Sequence, residues 1–392
     1  MKKYIVLIIF GFMVQLATTV HADSPVSLWS GKEYPTQDKM ETIKGIEFIK
    51  VKTRQPEIDS WTWQHGPAIV RYKGDFYASV GVNPGSENTV GEKIIMIKSQ
   101  GDWRHWEEPV VLEPNDSECG RSHGVFLVAE DKLWAFHSKF FSHDKAEGKS
   151  FPGLVMEAFQ LDETTGTWKN MGNVANDIWP YRTPVRLPNG NYITAGMDKD
   201  WINGTVAISN GSDLLHWKTQ KVNAPGKCFS EGTLWFDDND DKITVLLRND
   251  HQPGREYLRA AVTQSSDYGE TWTCSTDSDL AMNGCKPDAG TLSTGQRYLV
   301  GYTAAGNHNR SSLTIAVGRP GETTLCKVWK IRNIADPTPD NAFDAISFAY
   351  PSSVEYDGNL FVIYSVGDPK GNGYNRNHVE LAVIPISALT IN

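Results

Sequence analysis

The chain has 392 residues with a formal net charge of −9 at pH 7, and 22% of its residues are charged. That length suffices for two ordinary domains or for one large all-β domain with an ample core. The negative charge argues against nucleic acid or an anionic membrane as a partner, and any acidic ligand requires a local basic pocket.

Residues 1–22 have the pattern of a secretory signal peptide. Lys2 and Lys3 precede an apolar run over 4–14, and Val20-His21-Ala22 offers small residues for cleavage after Ala22. The apolar run is too short to span a bilayer, and no later segment has the length of a membrane helix. We therefore predict a periplasmic or secreted protein, without membrane insertion after signal cleavage, and a single domain over residues 23–392.

One hairpin pattern occurs six times after this segment. Each copy has a polar or small lead-in, an apolar strand, a turn with Gly, Asn or Asp, and a second strand rich in Val, Ile, Tyr and Phe. The copies lie at 65–80, 123–137, 182–196, 231–248, 288–302 and 350–364. Their spacing of about 50 to 60 residues fits a four-stranded propeller blade and is too long for a shorter solenoid repeat.

A third strand and a turn with a tryptophan follow most of the hairpins. In the fourth copy the turn is complete, with the sequence Ser265-Ser266-Asp267-Tyr268-Gly269-Glu270-Thr271-Trp272, which is called an Asp box. Its serine and aspartate can hydrogen-bond the backbone, its glycine supplies a positive φ, and its tryptophan buries between strands. Asp boxes recur in β-propellers, so the turn indicates architecture before it indicates activity.

We therefore predict an all-β fold, a six-bladed β-propeller of four-stranded antiparallel blades. After the sixth hairpin, Val379–Ile386 supplies only a third strand. Ile46–Thr53, from the N-terminal region, is predicted to supply the missing outer strand. This strand closes the ring and removes the open sheet edges.

The lead-in positions are the candidate functional residues. In a propeller the innermost strand of every blade starts at the same end of the axis, so these positions converge on one shallow recess, here called the cup. Nearly every blade places an ionisable group there, and the loops after the second and third strands add others. The candidates are His65, Asn83, Arg121, His123, Arg182, Glu231, Arg248, Lys286, Asp288, Arg310 and Tyr350.

These residue types suit recognition and cleavage of a carboxylated sugar. Arginine gives a carboxylate bidentate, permanently charged contacts. Glu231 is placed to accept a hydrogen bond from Tyr350 and to polarise a hydroxyl whose ordinary pKa, near ~10, is too high for neutral pH. His65 is a candidate for proton transfer near pH 7.

Each assignment has a structural alternative. Glu231 and Arg248 end opposite strands of one hairpin and also fit a structural ion pair. Tyr350 precedes Pro351 and also fits simple packing at the start of a blade. The remaining alternatives are a solvated loop cation at Arg310, a core histidine at His65, and wall positions for Arg182, His123 and Arg121.

The sequence offers no convincing ligand set for a metal, and we predict neither a metal nor a cofactor. The cysteines lack metal-binding spacing, and their odd number cannot all pair internally; they are Cys119, Cys228, Cys274, Cys285 and Cys326. Cys274 and Cys285 flank one loop and are the best pair for a disulfide, the alternative being five unpaired thiols. Calcium at Asp237, Asp238 and Asp240 is a weaker interpretation than a solvated hairpin turn.

From about Trp61 to Leu389 the chain resembles the sialidase superfamily of Asp-box propellers. The stretch from Ser230-Glu231-Gly232 to Arg248-Asn249 is similar to the sialidase glutamate and second arginine. Asn309-Arg310-Ser311 resembles the third arginine, and Ala349-Tyr350-Pro351 resembles the nucleophilic tyrosine segment. The resemblance implies that Tyr350 is the nucleophile and Glu231 its partner. It also implies that Arg248 and Arg310 are two members of a carboxylate-binding triad.

The first blade departs from the sialidase pattern. Where a sialidase has Phe-Arg-Ile-Pro with its first arginine, this chain has Gln64-His65-Gly66-Pro67, and no acid/base aspartate follows in the loop over 82–87. His65 with Asn83 resembles instead a divergent branch that acts at rhamnose–glucuronate linkages, as glycosidases or β-eliminating lyases. In such a lyase the arginines neutralise the uronate carboxylate, and His65 or Tyr350 relays protons.

Three hypotheses remain. The first, preferred because it needs only the shared arginines, is an exported exo-glycosidase of sialidase type that acts on an acidic oligosaccharide or polysaccharide. It cleaves at a carboxylated sugar, sialic-acid-like or uronic, through Tyr350. The second is a uronate-directed lyase or an α-L-rhamnosidase-like enzyme that uses His65. The third is a non-catalytic glycan-binding propeller, and fold analogy alone does not choose among them.

Overall fold

The computed structural model describes residues 26–112, 118–141, 151–222, 230–249, 258–305, 310–373 and 375–391. The predicted signal peptide, Cys228 and Asn309 lie outside these residues. Within the described residues no helix is both long enough and apolar enough to cross a membrane.

The described residues form six sheets whose consecutive blade strands pair antiparallel, which confirms the predicted six-bladed β-propeller. The strands of blade 1 are Trp63–Tyr72, Asp75–Asn83, Lys93–Lys98 and Val110–Val111. Those of blade 2 are Gly120–Ala129, Lys132–Phe140, Val155–Asp162 and Thr167–Asn176. Those of blade 3 are Trp179–Pro180, Val185–Arg186, Tyr192–Met197, Gly204–Asn210 and Asp213–Lys221.

The second half of the ring repeats the arrangement. The strands of blade 4 are Ser230–Asp237, Lys242–Arg248, Arg259–Ser265 and Thr276–Ala281. Those of blade 5 are Asp288–Thr291, Arg297–Gly301, Ser312–Val317 and Lys327–Asn333. Those of blade 6 are Phe348–Tyr356, Asn359–Gly367 and Asn377–Pro385. A short helix, Pro56–Asp59, precedes blade 1, and a 3-10 turn, Ile386–Leu389, follows blade 6.

The N-terminal region closes the ring as predicted. Strand Glu47–Lys52 pairs antiparallel with Asn377–Pro385 and becomes the outer strand of blade 6. A shorter strand, Glu41–Thr42, runs parallel to Lys327–Asn333 and adds a fifth strand to blade 5, which the sequence pattern did not indicate. Both additions cover sheet edges that would otherwise expose unpaired backbone groups.

The inner strand of blade 3 is interrupted. Trp179–Pro180 and Val185–Arg186 pair separately with Tyr192–Met197. Pro180 and Pro184 lack a backbone N–H, so neither can donate to the ladder. Arg182 lies in the gap between the two short pieces.

The Asp box has the hydrogen bonds that its sequence predicts. Ser265 Oγ accepts from the backbone N–H of Gly269 at 2.8 Å, and Asp267 accepts from the backbone N–H of Thr271 at 2.9 Å. Gly269 has φ +91°, and Trp272 Nε1 donates to its carbonyl at 3.1 Å. The box is thus a locally satisfied turn on the outer part of blade 4.

The predicted disulfide is wrong. Cys274 is exposed whereas Cys285 is completely buried, and both are free cysteines. A side chain at the surface and one in the core cannot approach to bonding distance without moving the backbone. Two of the carboxylates for which calcium was the weaker alternative form ion pairs instead: Asp237 with Arg297 and Asp240 with Lys242.

Candidate active site

Bulges occur at the start of four inner strands, at or beside the positions that were predicted to line the cup. The ladder register shifts between His65 and Ala68, between Ser122 and Gly124, between Ser230 and Gly232, and between Ala349 and Ser352. A β-bulge leaves the extra residue unpaired and turns its side chain away from the regular alternation. The bulged positions are Gly66 and Pro67 in blade 1, His123 in blade 2, Glu231 in blade 4, and Tyr350 and Pro351 in blade 6.

Two of these bulged residues have unusual backbone angles. Glu231 has φ +28° and Tyr350 has φ +53°, a region that costs free energy for residues with a Cβ atom. Both side chains are buried. The fold therefore holds a glutamate and a tyrosine in strained conformations that point them towards each other.

Tyr350, Glu231 and Arg248 form one hydrogen-bonded chain. The Tyr350 hydroxyl donates to Glu231 Oε1, and Arg248 Nη1 donates to Glu231 Oε2 at 2.8 Å. Burial, and next the charge of Glu231, hold the pKa of the Tyr350 phenol well above its usual value. The phenol is therefore neutral at pH 7, and its proton already points to a carboxylate. The predicted ion pair between Glu231 and Arg248 is part of this chain.

Arg310 approaches Tyr350 from blade 5. Its guanidinium carbon lies 5.8 Å from the centre of the Tyr350 ring, and its Nη2 donates to the carbonyl of Gly284 at 3.4 Å. Arg310 lies two residues before strand Ser312–Val317 and is only partly buried. Two guanidinium groups, those of Arg248 and Arg310, thus flank the phenol from neighbouring blades.

His65 and His123 form the uncharged side of the cup. The centres of their rings lie 4.2 Å and 5.2 Å from that of Tyr350, and 5.9 Å from each other. Burial holds the pKa of both imidazoles well below its usual value, and the nearby cation Lys286 acts in the same direction. Both histidines are therefore neutral at pH 7.

A glutamate that the sequence analysis passed over also reaches the cup. Glu87 lies in the loop after the second strand of blade 1, the loop that lacks an acid/base aspartate. Its Oε2 accepts from Asn375 Nδ2 at 2.9 Å. Burial raises the pKa of the Glu87 carboxyl to about 7, and the charges of Arg310, Glu231 and Arg248 also act on it. The only signal in the sequence that could have identified Glu87 as a site residue was the presence of a glutamate in this loop.

Asn83 and Glu92 shape this loop. Asn83 Oδ1 accepts from the backbone N–H of Gly85 at 2.7 Å, and its Nδ2 donates to Thr89 at 3.0 Å. Glu92 Oε2 accepts from the backbone N–H of Asn88 at 2.9 Å. Asn83, a predicted substrate-binding residue, therefore contacts its own loop, and its polar atoms support the segment that carries Glu87.

The other predicted arginines have partners in the wall. Arg121 is buried, and its Nε donates to Glu157 within blade 2 at 2.6 Å. Arg182 Nη1 lies 3.8 Å from Asp288 Oδ1. These contacts fit the wall positions that the sequence left open for both residues.

Lys286 lies beneath the catalytic candidates. Its buried Nζ donates to the carbonyl of Pro351, the residue that follows Tyr350. Burial lowers the pKa of this ammonium, whereas the charge of Asp288 opposes the shift. Lys286 therefore ties blade 5 to the bulge that presents Tyr350.

Comparison with known proteins shows the family to which this chain belongs. Residues 84–362 match the BNR repeat-like domain, whereas the chain matches no curated protein in sequence. Among solved structures, a protein of unknown function from Dyadobacter fermentans has 15% identity and a TM-score of 0.65, over 87% of this chain and 99% of that chain.

Two further similar structures are those of a trans-sialidase and of a sialidase variant. The intramolecular trans-sialidase from Ruminococcus gnavus has 12% identity and a TM-score of 0.62, over 87% of this chain and 98% of that one. A mutant of Trypanosoma rangeli sialidase displaying trans-sialidase activity has 13% identity and a TM-score of 0.64, over 89% of this chain but only 60% of that one. At these identities the likeness establishes the fold. With the repeat match over most of its length, the chain belongs to the BNR repeat-like domain family, and its fold is that of the sialidase-superfamily propellers.

Proposed function

We propose that this protein is an exported glycosidase that cleaves the linkage of a carboxylated sugar in an acidic oligosaccharide or polysaccharide, with Tyr350 as the nucleophile. The observation that carries the proposal is the hydrogen-bonded chain from Tyr350 through Glu231 to Arg248. A phenol whose proton points to a buried carboxylate is prepared to lose that proton as its oxygen attacks.

The first step needs a base and an acid. The Tyr350 oxygen attacks the anomeric carbon while its proton passes to Glu231, and the bond from that carbon to the leaving oxygen breaks. Glu87, protonated below about pH 7, donates its proton to the leaving oxygen. The products are an aryl glycoside, in which the Tyr350 oxygen is bonded to the anomeric carbon, and a free alcohol.

The second step reverses these roles. Water attacks the anomeric carbon, and the Glu87 carboxylate takes its proton. The bond from the anomeric carbon to the Tyr350 oxygen then breaks, and the proton on Glu231 returns to the phenol. Arg248 and Arg310 bind the sugar carboxylate throughout, since guanidinium groups bind carboxylates with charge-assisted hydrogen bonds.

A neutral phenol also suits an anionic substrate. A carboxylate nucleophile would meet the sugar carboxylate with like-charge repulsion, whereas the Tyr350 phenol carries no charge until it reacts. The strained, buried placement of Tyr350 supports the same proposal, because strain of this kind persists where the surrounding structure enforces it and often marks an active site.

The test is incubation of purified protein with sialyllactose and, separately, with a rhamnose-capped glucuronan. Release of sialic acid or of a uronic sugar supports the proposal if the rate of release falls by about 10³-fold in Tyr350→Phe. Tyr356→Phe, at the outer end of the same strand, is the matched control and retains activity. An unsaturated product absorbing near ~232 nm would instead support the lyase, and free rhamnose would support the rhamnosidase-like enzyme. Binding without any product would support the glycan-binding protein.

Export is part of the proposal and has its own test. The N-terminal sequence of protein recovered from the periplasm or medium of an expressing bacterium is expected to begin at Asp23. Recovery only inside the cells, with Met1 retained, would contradict export and leave the proposed chemistry unaffected.

A further inference from the structure

The hydrogen bonds around His65 fix the position of its proton. The ring is completely buried, and its Nδ1 lies 2.9 Å from Asn377 Nδ2 and 3.1 Å from Ser365 Oγ. An amide nitrogen only donates hydrogen bonds, so Nδ1 must be the acceptor. In a neutral imidazole the proton then resides on Nε2.

Neighbouring contacts fix the donors themselves. Asn377 Nδ2 also donates to the carbonyl of Gln64 at 2.9 Å, so a flipped amide would place two oxygens against each other. Ser365 Oγ accepts from the backbone N–H of Gly66 at 3.2 Å, which leaves its own hydrogen to point at His65. Asn377 Nδ2 therefore excludes a proton on Nδ1, and the Ser365 hydroxyl, which can donate or accept, is left to donate to the same nitrogen.

The other ring nitrogen faces a different environment. Nε2 of His65 is buried and has no hydrogen-bond partner among the described residues. The ring lies against Tyr350 and His123, and beside burial, His123 and the cations Arg310 and Lys286 all lower its pKa. Both cations oppose a second proton on the ring, so the group that remains is a neutral N–H donor. A buried donor without a partner is a costly arrangement unless a ligand completes it.

We propose that His65 is a specificity-determining residue that donates one hydrogen bond, from Nε2–H, to an uncharged oxygen of the bound sugar, and that it neither accepts nor relays protons. The inference rests on the proposed function, in that the cup is taken as the sugar site. In this arrangement Arg248 of blade 4 and Arg310 of blade 5 bind the sugar carboxylate. His65 of blade 1 binds a hydroxyl or an amide carbonyl of the sugar.

The protonation state is tested first, without any substrate. The ¹⁵N chemical shifts of the histidine rings in labelled protein distinguish the two tautomers, and the His65 signals are identified by their loss in His65→Gln. We expect an unprotonated Nδ1 and a protonated Nε2, unchanged from pH 8 to 5.5. Protonation at Nδ1, or titration within this range, would overturn the proposal. This outcome does not depend on any activity, so it is separate from failure of the proposed function.

Two further variants test which contacts determine the tautomer of His65. Ser365→Ala removes one donor to Nδ1 and leaves Asn377, so the Nε2–H tautomer is expected to persist. Asn377→Asp replaces the second donor with an acceptor and is expected to move the proton to Nδ1. A folded Asn377→Asp variant with the proton still on Nε2 would contradict this account of the tautomer.

Kinetics on the cleaved substrate test the role. His65→Gln keeps an uncharged N–H donor and is expected to raise KM less than His65→Leu does, with the shape of the pH profile unchanged. His65→Leu removes the donor and is expected to raise KM roughly 10- to 100-fold, the loss of one buried hydrogen bond. If His65 relays protons, both variants lose kcat alike and one limb of the pH profile disappears, which would overturn the proposal.

Discussion

Blade 4 contains two clusters of polar residues that are built in opposite ways. In the Asp box, Asp267 is bonded by Ser265 and Thr271, within a few residues along the chain. The hydrogen bonds of Thr271 and Ser265 hold the pKa of the Asp267 carboxyl below its usual value. At the other end of the same blade, Glu231 is buried and bonds to Tyr350, which is 119 residues away in sequence.

The difference separates a structural turn from a functional site. The polar groups of the box satisfy one another and need nothing further. The polar groups of the cup are held in buried or strained positions by distant residues, and some of their atoms have no partner among the described residues. Buried polar atoms of this kind are retained where a ligand or a reaction uses them.

The largest expected effect is at Glu231. Glu231→Gln keeps the shape of the side chain but removes the carboxylate that receives the Tyr350 proton, so we expect kcat to fall about 10³-fold. Asp267→Asn, in the box, is the control and is expected to leave kcat unchanged. Equal losses in the two variants, measured with folded protein, would remove the distinction between box and cup.

Glu87 is expected to have the next largest effect. If it is the general acid, activity requires its protonated form and falls as the pH rises through about 7. Glu87→Gln is expected to lower kcat about 100-fold and to abolish this alkaline fall, as measured in a pH–rate profile. Glu108→Gln, at an exposed glutamate of blade 1, serves as the control. An unchanged alkaline limb in Glu87→Gln would assign the acid to another group.

The buried histidines are expected to affect stability in acid. Burial lowers the pKa of His137 to about 3, whereas the unfolded chain has a histidine pKa near 6.5. Between these values the unfolded state binds more protons, so this residue destabilises the fold increasingly as the pH falls below 6.5. His137→Leu should therefore gain about 1 kcal/mol relative to the parent between pH 7.5 and 5.5, as measured by urea unfolding. A difference that does not vary with pH would contradict this sign.

The smallest effect is expected in the box itself. Asp267→Ala removes hydrogen bonds to Ser265 and Thr271 from a surface turn, and we expect the free energy of unfolding to fall by roughly 0.5 kcal/mol without a change in kcat. Urea unfolding and a standard assay measure the two quantities. A loss of activity at full stability would indicate that the box takes part in function.

Much of the fold and part of the site followed from the sequence. The hairpin spacing and the Asp box predicted the number and make-up of the blades. Alignment of the lead-in residues of the blades predicted that His65, Glu231 and Tyr350 are neighbours, as the structure shows. The same alignment missed Glu87, because the loop that carries it is shaped by Asn83 and Glu92 and has no repeat pattern. The predicted Cys274–Cys285 disulfide was wrong for a different reason: the two cysteines flank one loop, but closeness along the chain does not report depth in the fold.

The sequence by itself determined the blade repeat, the closing strand and the turn chemistry of the box, since apolar alternation and short-range hydrogen bonds depend on neighbours in the chain. Only the tertiary structure decided the bulges that turn Glu231 and Tyr350 towards each other, the raised pKa of Glu87 and the tautomer of His65. The physical reason is separation along the chain. Asn377 lies 312 residues from His65, so burial and hydrogen bonding there exist only once the ring has closed.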